Sequence, residues 1–367
     1  MRILQVDSGR EWRGGQNQVR LLCRGLAGRP DVENRLFTKR DSELARRVRE
    51  QLLPVIPTSW GMSLSPLAYV GLRTAIGRYR PDIVHVHDSH SLTLALAIRR
   101  TLHVRVFGLT LSLARRVVFQ DEPSTFALVA HRRVDFHVKS RSNWHRADRI
   151  IAVSEGVKRV LVQDGIDARD VAVVHDGIDP DEVRADAGRA PDLRARLGLP
   201  PDGPLAVNVA ALVDHKDQRT LIHAAARARA RAPALHWVIA GDGPLRGALQ
   251  AEIASAGVGD IVHLVGYVDP VDALIREARV LVMSSKEEGL GSVVLHALAL
   301  GTPVVATRAG GLPEVVSAEC LVPVGDADAL AARTLEALAH PPVVTLADRF
   351  TAKSMADSVL AQYHLLA

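Results

Sequence analysis

The feature that most constrains this chain is the stretch at residues 284–316, which reads SSKEEGLGSVVLHALALGTPVVATRAGGLPEVV. An apolar run at residues 280–283 predicts a buried strand, and an acidic glycine loop (residues 287–291) follows it. A helix is expected to begin at Ser292, a residue type that often caps helix N-termini, and to end at Gly301. Such a unit gathers free N–H groups and the positive end of a helix at one point, which favours phosphate binding. An ordinary βαβ turn, with glycines only for close packing, is the alternative interpretation.

The rest of the chain repeats the alternation of strand and helix patterns, which predicts parallel sheets covered by helices. A length of 367 residues is too great for one ordinary core and is typical of two α/β domains. The stretch at residues 184–203 is rich in Pro, Gly, Asp and Arg, which is typical of a linker. We therefore predict one domain at residues 1–180, a second at residues 181–346, and a terminal helical segment at residues 347–367.

Composition narrows the class of protein. No apolar run approaches the roughly 18 residues that cross a bilayer, and Met1 and Arg2 lead directly into a strand pattern, which is unlike a secretory signal. The two cysteines, Cys23 and Cys320, are far apart in sequence, which disfavours a disulfide framework. A cytoplasmic location is expected, with the inner face of the membrane as an alternative.

Charge is uneven along the chain. Residues 1–180 contain 29 Lys and Arg against 19 Asp and Glu, a net charge of +10, whereas the remainder carries −5. A basic first half favours an acidic partner, such as an anionic membrane or a phosphorylated acceptor, although arginines that only solvate a surface would give the same count. Nucleic acid is not expected as a partner, because few aromatic side chains interleave these arginines.

Three histidines attract attention in the first half. His85 and His87 alternate with apolar residues, so they share one face of a strand. We predict no metal site there, because no third ligand stands at a useful spacing.

Residues 101–126 give no clear pattern. A strand is expected either at residues 104–107 or at residues 127–130, and we choose the second, which leads into His131.

The glycine loop and its helix resemble the donor-site signature of the retaining glycosyltransferases of family 4. That signature has a Glu followed by Gly-x-Gly, as in Glu288, Gly289 and Gly291 here. The match continues through Gly301 and Pro303 and is strongest in residues 205–320. At the eighth position after the first Glu, where the family has a second acidic residue, this chain has His296.

The resemblance implies an α/β protein of the GT-B fold, with two Rossmann-like domains, an interdomain cleft and a C-terminal helix that crosses back to the first domain. It implies transfer of a sugar from a UDP- or GDP-linked nucleotide sugar to a glycan, glycolipid or small-molecule acceptor. Transfer would proceed with retention of configuration, without a metal and without a separate cofactor. A nucleotide-sugar epimerase of the same fold and a catalytically impaired nucleotide-binding paralogue remain alternatives.

The resemblance also implies site residues. Lys216 would contact the donor diphosphate, Glu288 would hold sugar hydroxyls, and His131 would stand near the donor sugar; a surface histidine is the alternative for His131. The residues expected to bind the donor are Gly14, Gly15, Gly241, Gly243, Gly266, Tyr267, Val268, Leu290, Gly291, Ser292 and His296.

Two departures from the family pattern fall on functional positions. Ala211 stands where the family has an Arg near the diphosphate, so part of the positive charge is missing or comes from elsewhere, for which Arg13 is one candidate. His296 stands where a carboxylate would accept the ribose hydroxyls, and a neutral imidazole accepts only one hydrogen bond. Either ribose binding is weaker here, or His296 contributes to the site in another way.

The charge of the first half generates a first prediction. If the +10 segment contacts an anionic membrane, binding to phosphatidylglycerol vesicles should weaken steeply as salt rises, because such contacts are screened within about 10 Å at 0.1 M ionic strength. Co-sedimentation with vesicles at low and high salt measures this. Equal partitioning onto phosphatidylcholine and phosphatidylglycerol vesicles would show that the arginines only solvate the surface.

Overall fold

The protein folds into two parallel sheets, and in each of them helices alternate with the strands along the chain. The computed structural model describes residues 1–61, 65–103, 126–138, 143–190 and 193–367. The rejected strand position at residues 104–107 therefore lies outside the described residues. Within those ranges, all strand pairs are parallel.

The first sheet has the strand order β3-β2-β1-β4-β5-β6-β7. Its strands are β1 (Arg2–Asp7), β2 (Glu33–Lys39), β3 (Val55–Thr58), β4 (Ile83–Val86), β5 (Ala127–Arg132), β6 (Arg149–Ala152) and β7 (Val171–Val173). The helices of this part of the chain are α1 (Gly14–Leu26), α2 (Glu43–Glu50), α3 (Pro66–Tyr79), α4 (Ser89–His103), α5 (Glu155–Gln163), α6 (Pro180–Ala187) and α7 (Leu193–Arg196).

The second sheet has the order β10-β9-β8-β11-β12-β13. Its strands are β8 (Leu205–Val209), β9 (His236–Ala240), β10 (Val262–Gly266), β11 (Val280–Met283), β12 (Val304–Thr307) and β13 (Leu321–Val322). The helices are α8 (Gln218–Ala228), α9 (Arg246–Ser255), α10 (Val271–Glu277), α11 (Ser292–Leu300), α12 (Ala327–Ala339) and α13 (Ala352–His364).

Both sheets have a point at which the strand order reverses direction. In the first sheet this point lies between β1 and β4, and in the second between β8 and β11. Ligands of open parallel sheets bind at such points, outside the carboxyl ends of the strands. The loops after these four strands carry Gly14 and Gly15, His87, Lys216 and the glycine loop respectively. The topology thus places the loops that carry Gly14, Gly15, Lys216 and the glycine loop at these two switch points, one in each sheet.

The chain returns to the first domain at its end. Buried side chains of α13, including Met355, Val359 and Tyr363, share one hydrophobic cluster with Ile3 of β1 and Leu22 of α1. The terminal helix therefore packs on the first sheet, as the fold class predicts. It begins at Ala352, after a short 3-10 turn at Asp348–Phe350, and not at residue 347. The predicted domain limits themselves remain a prediction.

Two details of the sequence analysis are decided by the structure. The strand choice at residues 127–130 is confirmed, because β5 pairs with β4 and β6 there. The predicted start of α11 at Ser292 and its end at Gly301 are confirmed, but the N-cap is Gly291, with φ of 83°, and not Ser292. A glycine is needed at the cap because this left-handed conformation is costly for other residues.

None of the described helices is both long enough and apolar enough to cross a membrane.

The close packing of the terminal helix on α1 generates a second prediction. A Cβ atom added at Gly25 of α1 would lie 2.6 Å from the Cβ of Ala356 on α13. Gly25→Ala should therefore destabilise the protein by about 1–2 kcal/mol, because the overpacking exceeds the gain in helix propensity. Urea unfolding measures the change.

Gly77→Ala is the matched control, since Gly77 also lies inside a helix but has no atom within 4 Å of the added Cβ. It should stabilise the protein by about 0.5–1 kcal/mol. Equal effects of the two substitutions would show that the contact between α1 and α13 is not tight.

Candidate functional site

Two helix N-termini meet across the cleft between the domains. A Cβ atom at Gly14, the first residue of α1, would lie 2.7 Å from Oγ of Ser292, the first residue of α11. The two helices belong to different sheets, so their positive ends point into one space. Glycine at position 14 is what allows this approach, because any side chain would collide with Ser292.

The start of α11 supplies free donors to that space. The N–H groups of Leu290, Gly291 and Ser292 have no acceptor among the residues that the structure describes. Unpaired N–H groups at a helix start are ready to bind an anion. The geometry is therefore that of the predicted phosphate site, and the role of these three residues toward a donor stays a prediction.

Lys216 and Glu288 are direct partners. Nζ of Lys216 lies 2.6 Å from Oε2 of Glu288, and the two side chains are only 18% and 12% exposed. Oγ of Ser285 also donates to that carboxylate oxygen, at 3.3 Å. Oγ of Ser284 in turn donates to the carbonyl oxygen of Lys216, which ties the lysine loop to the start of the glycine loop. The structure thus brings both predicted catalytic residues of the second domain to one place.

The glycine loop fits closely against the first domain. A Cβ atom at Gly289 would collide with the carbonyl oxygen of Arg133, and the carbonyl oxygen of Gly289 accepts a hydrogen bond from Oγ of Ser154 at 2.6 Å. The backbone N–H of Glu288 donates to Oδ2 of Asp135 at 2.8 Å. These contacts fix the position of the Glu288 backbone relative to β5 of the first domain.

A second bridge between the domains lies beside the first. Glu314, after β12, accepts hydrogen bonds from the N–H groups of Glu155 and Gly156 at the start of α5, each at 3.0 Å. Nε2 of His175 lies 2.9 Å from the same carboxylate. The carboxylate thus satisfies a helix N-terminus of the other domain, where a negative charge is favoured.

His131 is not a surface residue: it is 1% exposed and lies in a buried cluster with His85 and His87. Its ring stacks on that of His85 with centroids 5.4 Å apart. Burial lowers the pKa of all three imidazoles well below the usual value, and the positive charge of Arg133 adds to the effect in each case. The three rings are therefore neutral near pH 7.

Arg133 fixes which ring nitrogens carry protons. Its guanidinium lies 3.2 Å from Nδ1 of His87 and 3.2 Å from Nδ1 of His131. A guanidinium can only donate, so both Nδ1 atoms accept and the protons reside on Nε2. Nε2 of His87 then donates to Gln5 at 2.7 Å. Nε2 of His131 is buried without a partner among the described residues, and the role of this N–H group toward a donor sugar stays a prediction.

The expectation that no third ligand accompanies His85 and His87 is wrong, because the ligand atoms of His85, His87 and His131 lie within 4.8 Å of one another. The sheet register places His131 beside the other two, which sequence spacing could not show. A metal-bound histidine normally donates its other N–H group to an acceptor, whereas here Arg133 occupies that position as a cation and a donor. These contacts favour a hydrogen-bonded network, and the absence of a metal stays a prediction.

The glycines of the second domain have clear packing roles. A Cβ atom at Gly241 would collide with the carbonyl oxygen of Ala210, and one at Gly243 would lie 2.5 Å from that of Leu212. Both glycines therefore let the loop after β8 pass close by. The carbonyl of Gly266 accepts from the N–H of Gly241 at 2.7 Å. Donor binding by these glycines stays a prediction.

The two residues after Gly266 differ in how far their side chains are exposed to solvent. Tyr267 is 60% exposed, whereas Val268 packs against the core of the second domain. An exposed ring next to a strand end is available for stacking on a flat ligand group. The predicted nucleobase shelf at Tyr267 and Val268 is compatible with this geometry and remains a prediction.

Two arginines near the cleft, Arg13 and Arg133, are candidates for the positive charge that the family's arginine supplies at position 211. Arg13, the N-cap of α1, is well exposed and pairs with Glu11. Arg133 is 12% exposed, and Cδ of its side chain lies 4.0 Å from the Cβ position of Gly15. The burial of Arg133 beside Gly15 makes it the stronger source of fixed positive potential.

His296 has a partner that the sequence did not indicate. Its Nδ1 lies 2.6 Å from Oδ1 of Asp272, at the start of α10, and the side chains are 16% and 7% exposed. The spacing from Ser292 places His296 one turn later on the same face of α11. Asp272 lies within an apolar helix pattern, and no local signal links it to His296, 24 positions away.

Two carboxylates lie at the switch point of the first sheet. Burial raises the pKa of Asp7 to about 7, and the neighbouring charge of Asp88 adds to the shift. Asp88 accepts hydrogen bonds from Ser8 and Ser91 at the carboxyl ends of β1 and β4. Sequence reasoning missed both residues, although each follows or ends a strand.

The network around Arg133 generates a third prediction. Its Nε lies 3.1 Å from Oδ1 of Asp176, which is 7% exposed. Arg133→Met should destabilise the protein by about 3–5 kcal/mol, because it leaves a buried carboxylate without its partner. Denaturant unfolding measures this, and ¹⁵N spectra of the imidazoles should show that His131 no longer holds its proton only on Nε2.

Arg133→Met with Asp176→Asn is the control, because the double variant buries no unpaired charge and should recover at least half of the lost stability. A decrease in the free energy of unfolding of less than about 0.5 kcal/mol in Arg133→Met is the scale of an ordinary surface change. Such a result would contradict the role of Arg133 as the partner of buried Asp176.

Two family models match this chain, one over the part that forms each sheet. The family model "Glycosyltransferase Family 4" matches residues 12–182, and "Glycosyl transferases group 1" matches residues 190–354. The 2-deoxystreptamine glucosyltransferase of Streptomyces kanamyceticus is 30% identical over 389 residues, which covers 99% of this chain and 97% of that protein. A D-inositol 3-phosphate glycosyltransferase of Streptomyces bingchenggensis is 38% identical over 184 residues, 46% of this chain and 40% of that protein.

A solved structure agrees with the fold. Anabaena HepE, crystallised with UDP and glucose, superposes with a TM-score of 0.79 over the whole of both chains, at 18% identity. That likeness confirms the GT-B class of two Rossmann-like domains. Because a relative is similar along almost the entire chain and a family model fits each half, this protein belongs to the family 4 (group 1) glycosyltransferases.

Proposed function

We propose that the protein transfers a hexose from a UDP-linked donor to a hydroxyl group of a cyclitol acceptor, with retention of configuration and without a metal. The observation that carries the proposal is the convergence of the N-termini of α1 and α11 next to Lys216. Two helix ends, free N–H groups and a lysine form a site for a dianionic group.

The leaving group explains why such a site is needed. When the bond between the anomeric carbon and the diphosphate oxygen breaks, negative charge grows on the diphosphate, and fixed positive groups stabilise it. The N–H groups of Leu290, Gly291 and Ser292 act together with Lys216, so the protein itself supplies the charge that a metal would supply. Glu288, held by Lys216, accepts hydrogen bonds from sugar hydroxyls and fixes the ring against the acceptor.

His131 complements Glu288 on the other side of the cleft. Its Nε2–H group is a neutral donor in a buried setting, suited to an oxygen of the donor sugar. Such a donor cannot act as a nucleophile, because the lone pair of Nδ1 is taken by Arg133. We therefore propose that no covalent intermediate forms on His131. The acceptor oxygen attacks the anomeric carbon from the face that the diphosphate leaves.

The choice of substrates rests on relatives. The two transferases reported above act, by their names, on 2-deoxystreptamine and on an inositol phosphate, which are both cyclitols. HepE was crystallised with UDP, which favours UDP over GDP as the first donor to test. Both reported relatives are transferases, so the epimerase alternative is not favoured.

Contact with an anionic membrane and a cytoplasmic location remain proposals. Several first-domain arginines are paired with carboxylates of the same chain, as Arg24 is with Asp179 and Glu182. Such pairs reduce the positive potential that a vesicle would meet.

The test is an assay of the purified protein with UDP-glucose, UDP-N-acetylglucosamine and GDP-mannose. The acceptors are 2-deoxystreptamine, myo-inositol phosphate and an acidic glycolipid. We expect a glycosylated cyclitol whose anomeric configuration, read by NMR, equals that of the donor, and undiminished turnover in EDTA. Donor conversion without acceptor would indicate an epimerase, and nucleotide binding without any turnover would indicate an impaired paralogue.

Lys216 generates a fourth prediction. Lys216→Ala should lower turnover by roughly 10²- to 10³-fold, the scale of losing one transition-state stabiliser. Part of the loss would come from Glu288, which loses its partner. Steady-state kinetics, with thermal unfolding to confirm the fold, measure the effect.

Lys286→Ala is the matched control, because Lys286 lies next to the same loop but is 43% exposed and lies 3.7 Å from Asp214. It should keep activity within threefold of wild type. If Lys216→Ala does so too, Lys216 is not part of the site.

A further inference from the structure

We infer that Asp272 is a positioning residue for the donor ribose: it holds His296 so that the imidazole accepts a ribose hydroxyl in place of the family's second carboxylate. The inference rests on the proposed donor site and adds a residue that the resemblance does not supply. The substrate group concerned is the vicinal diol of the nucleotide.

The contact that carries the inference is short and shielded. Oδ1 of Asp272 lies 2.6 Å from Nδ1 of His296, and both side chains are largely buried. A carboxylate oxygen accepts and an imidazole N–H donates, so Nδ1 of His296 carries the proton in the tautomer that this contact selects. The lone pair of Nε2 is then free to accept. Without Asp272, either nitrogen could carry the proton.

The position of the ring agrees with this role. His296 follows Ser292 by one helical turn, and Ser292 faces Gly14 across the cleft. The hydrogen bond of the His296 side chain in the described part of the chain runs through Nδ1, and the side chain keeps 16% of its surface exposed. The accepting nitrogen is therefore available from the face of α11 that looks toward the first domain.

The pair also explains why a carboxylate at position 296 would not suit this chain. A glutamate there would place two negative groups at the site of one hydrogen bond, and like charges at this distance repel. His296 and Asp272 thus act together: His296 accepts the hydrogen bond that a carboxylate accepts in the family, and Asp272 orients the imidazole.

The experiment measures the contribution of the diol. The probes are UDP and 2′,3′-dideoxy-UDP, with GDP and its dideoxy analogue in parallel, and calorimetric titration gives the ratio of their Kd values. For the wild-type protein, we expect UDP to bind about tenfold more tightly than the dideoxy analogue, the scale of one hydrogen bond. Asp272→Ala should reduce this ratio to below about threefold, since His296 loses its orientation, while the binding of dideoxy-UDP changes little.

Conservative and reciprocal variants separate positioning from structural support. Asp272→Asn should keep most of the ratio, because its amide oxygen still accepts from Nδ1. His296→Glu alone should weaken UDP binding at least about tenfold through repulsion by Asp272. His296→Glu with Asp272→Asn should restore the ratio, because the amide then donates to the glutamate.

Glu277→Ala is the matched control, a carboxylate of the same helix that pairs with Arg194 instead. It should leave the ratio unchanged. An unchanged ratio in Asp272→Ala, or equal weakening of UDP and dideoxy-UDP, would overturn the inference while leaving the proposed donor site intact. Failure of any nucleoside diphosphate to bind the wild-type protein would overturn the donor site as well.

Discussion

The guanidinium of Arg133 is the group on which the rest of the site depends. Its side chain holds Asp176 and the Nδ1 atoms of His87 and His131, and its carbonyl oxygen lies against Gly289 of the glycine loop. One residue thus sets the proton positions of a buried network in the first domain and the position of a loop in the second. Because the cation is buried, its field is little screened, and it lowers the pKa of the surrounding imidazoles. The site is therefore organised by a fixed positive charge, which suits a reaction that expels a diphosphate.

The backbone adds to that charge without any titratable group. The starts of α1 and α11 meet where Gly14 touches Ser292, and their free N–H groups face the same space. Lys216 adds a positive side chain close to the glycine loop, and its pairing with Glu288 holds both side chains in place. Preorganised donors of this kind cost little rearrangement when charge develops, which is the basis of electrostatic catalysis.

The departures from the family pattern become intelligible once neighbours are known. Ala211 removes an arginine from the loop after β8, and buried Arg133 lies across the cleft beside Gly15. His296 replaces a carboxylate, and Asp272 stands next to it in the structure. In both positions a polar or charged group lies close by on another element of the fold.

The sequence by itself determined the alternation of strands and helices and the unit of β11, glycine loop and α11, and it predicted Lys216 and Glu288 as site residues. These depend on local patterns: apolar periodicity, helix ends and the spacing of glycines. It did not determine the three-histidine cluster, the partner of His296 or the true cap of α11. Tyr363 reaches His85 from 278 positions away, and only the packing of the terminal helix on the first sheet brings them together. Proton positions and charge pairing are properties of neighbours in space, so tertiary structure decided them.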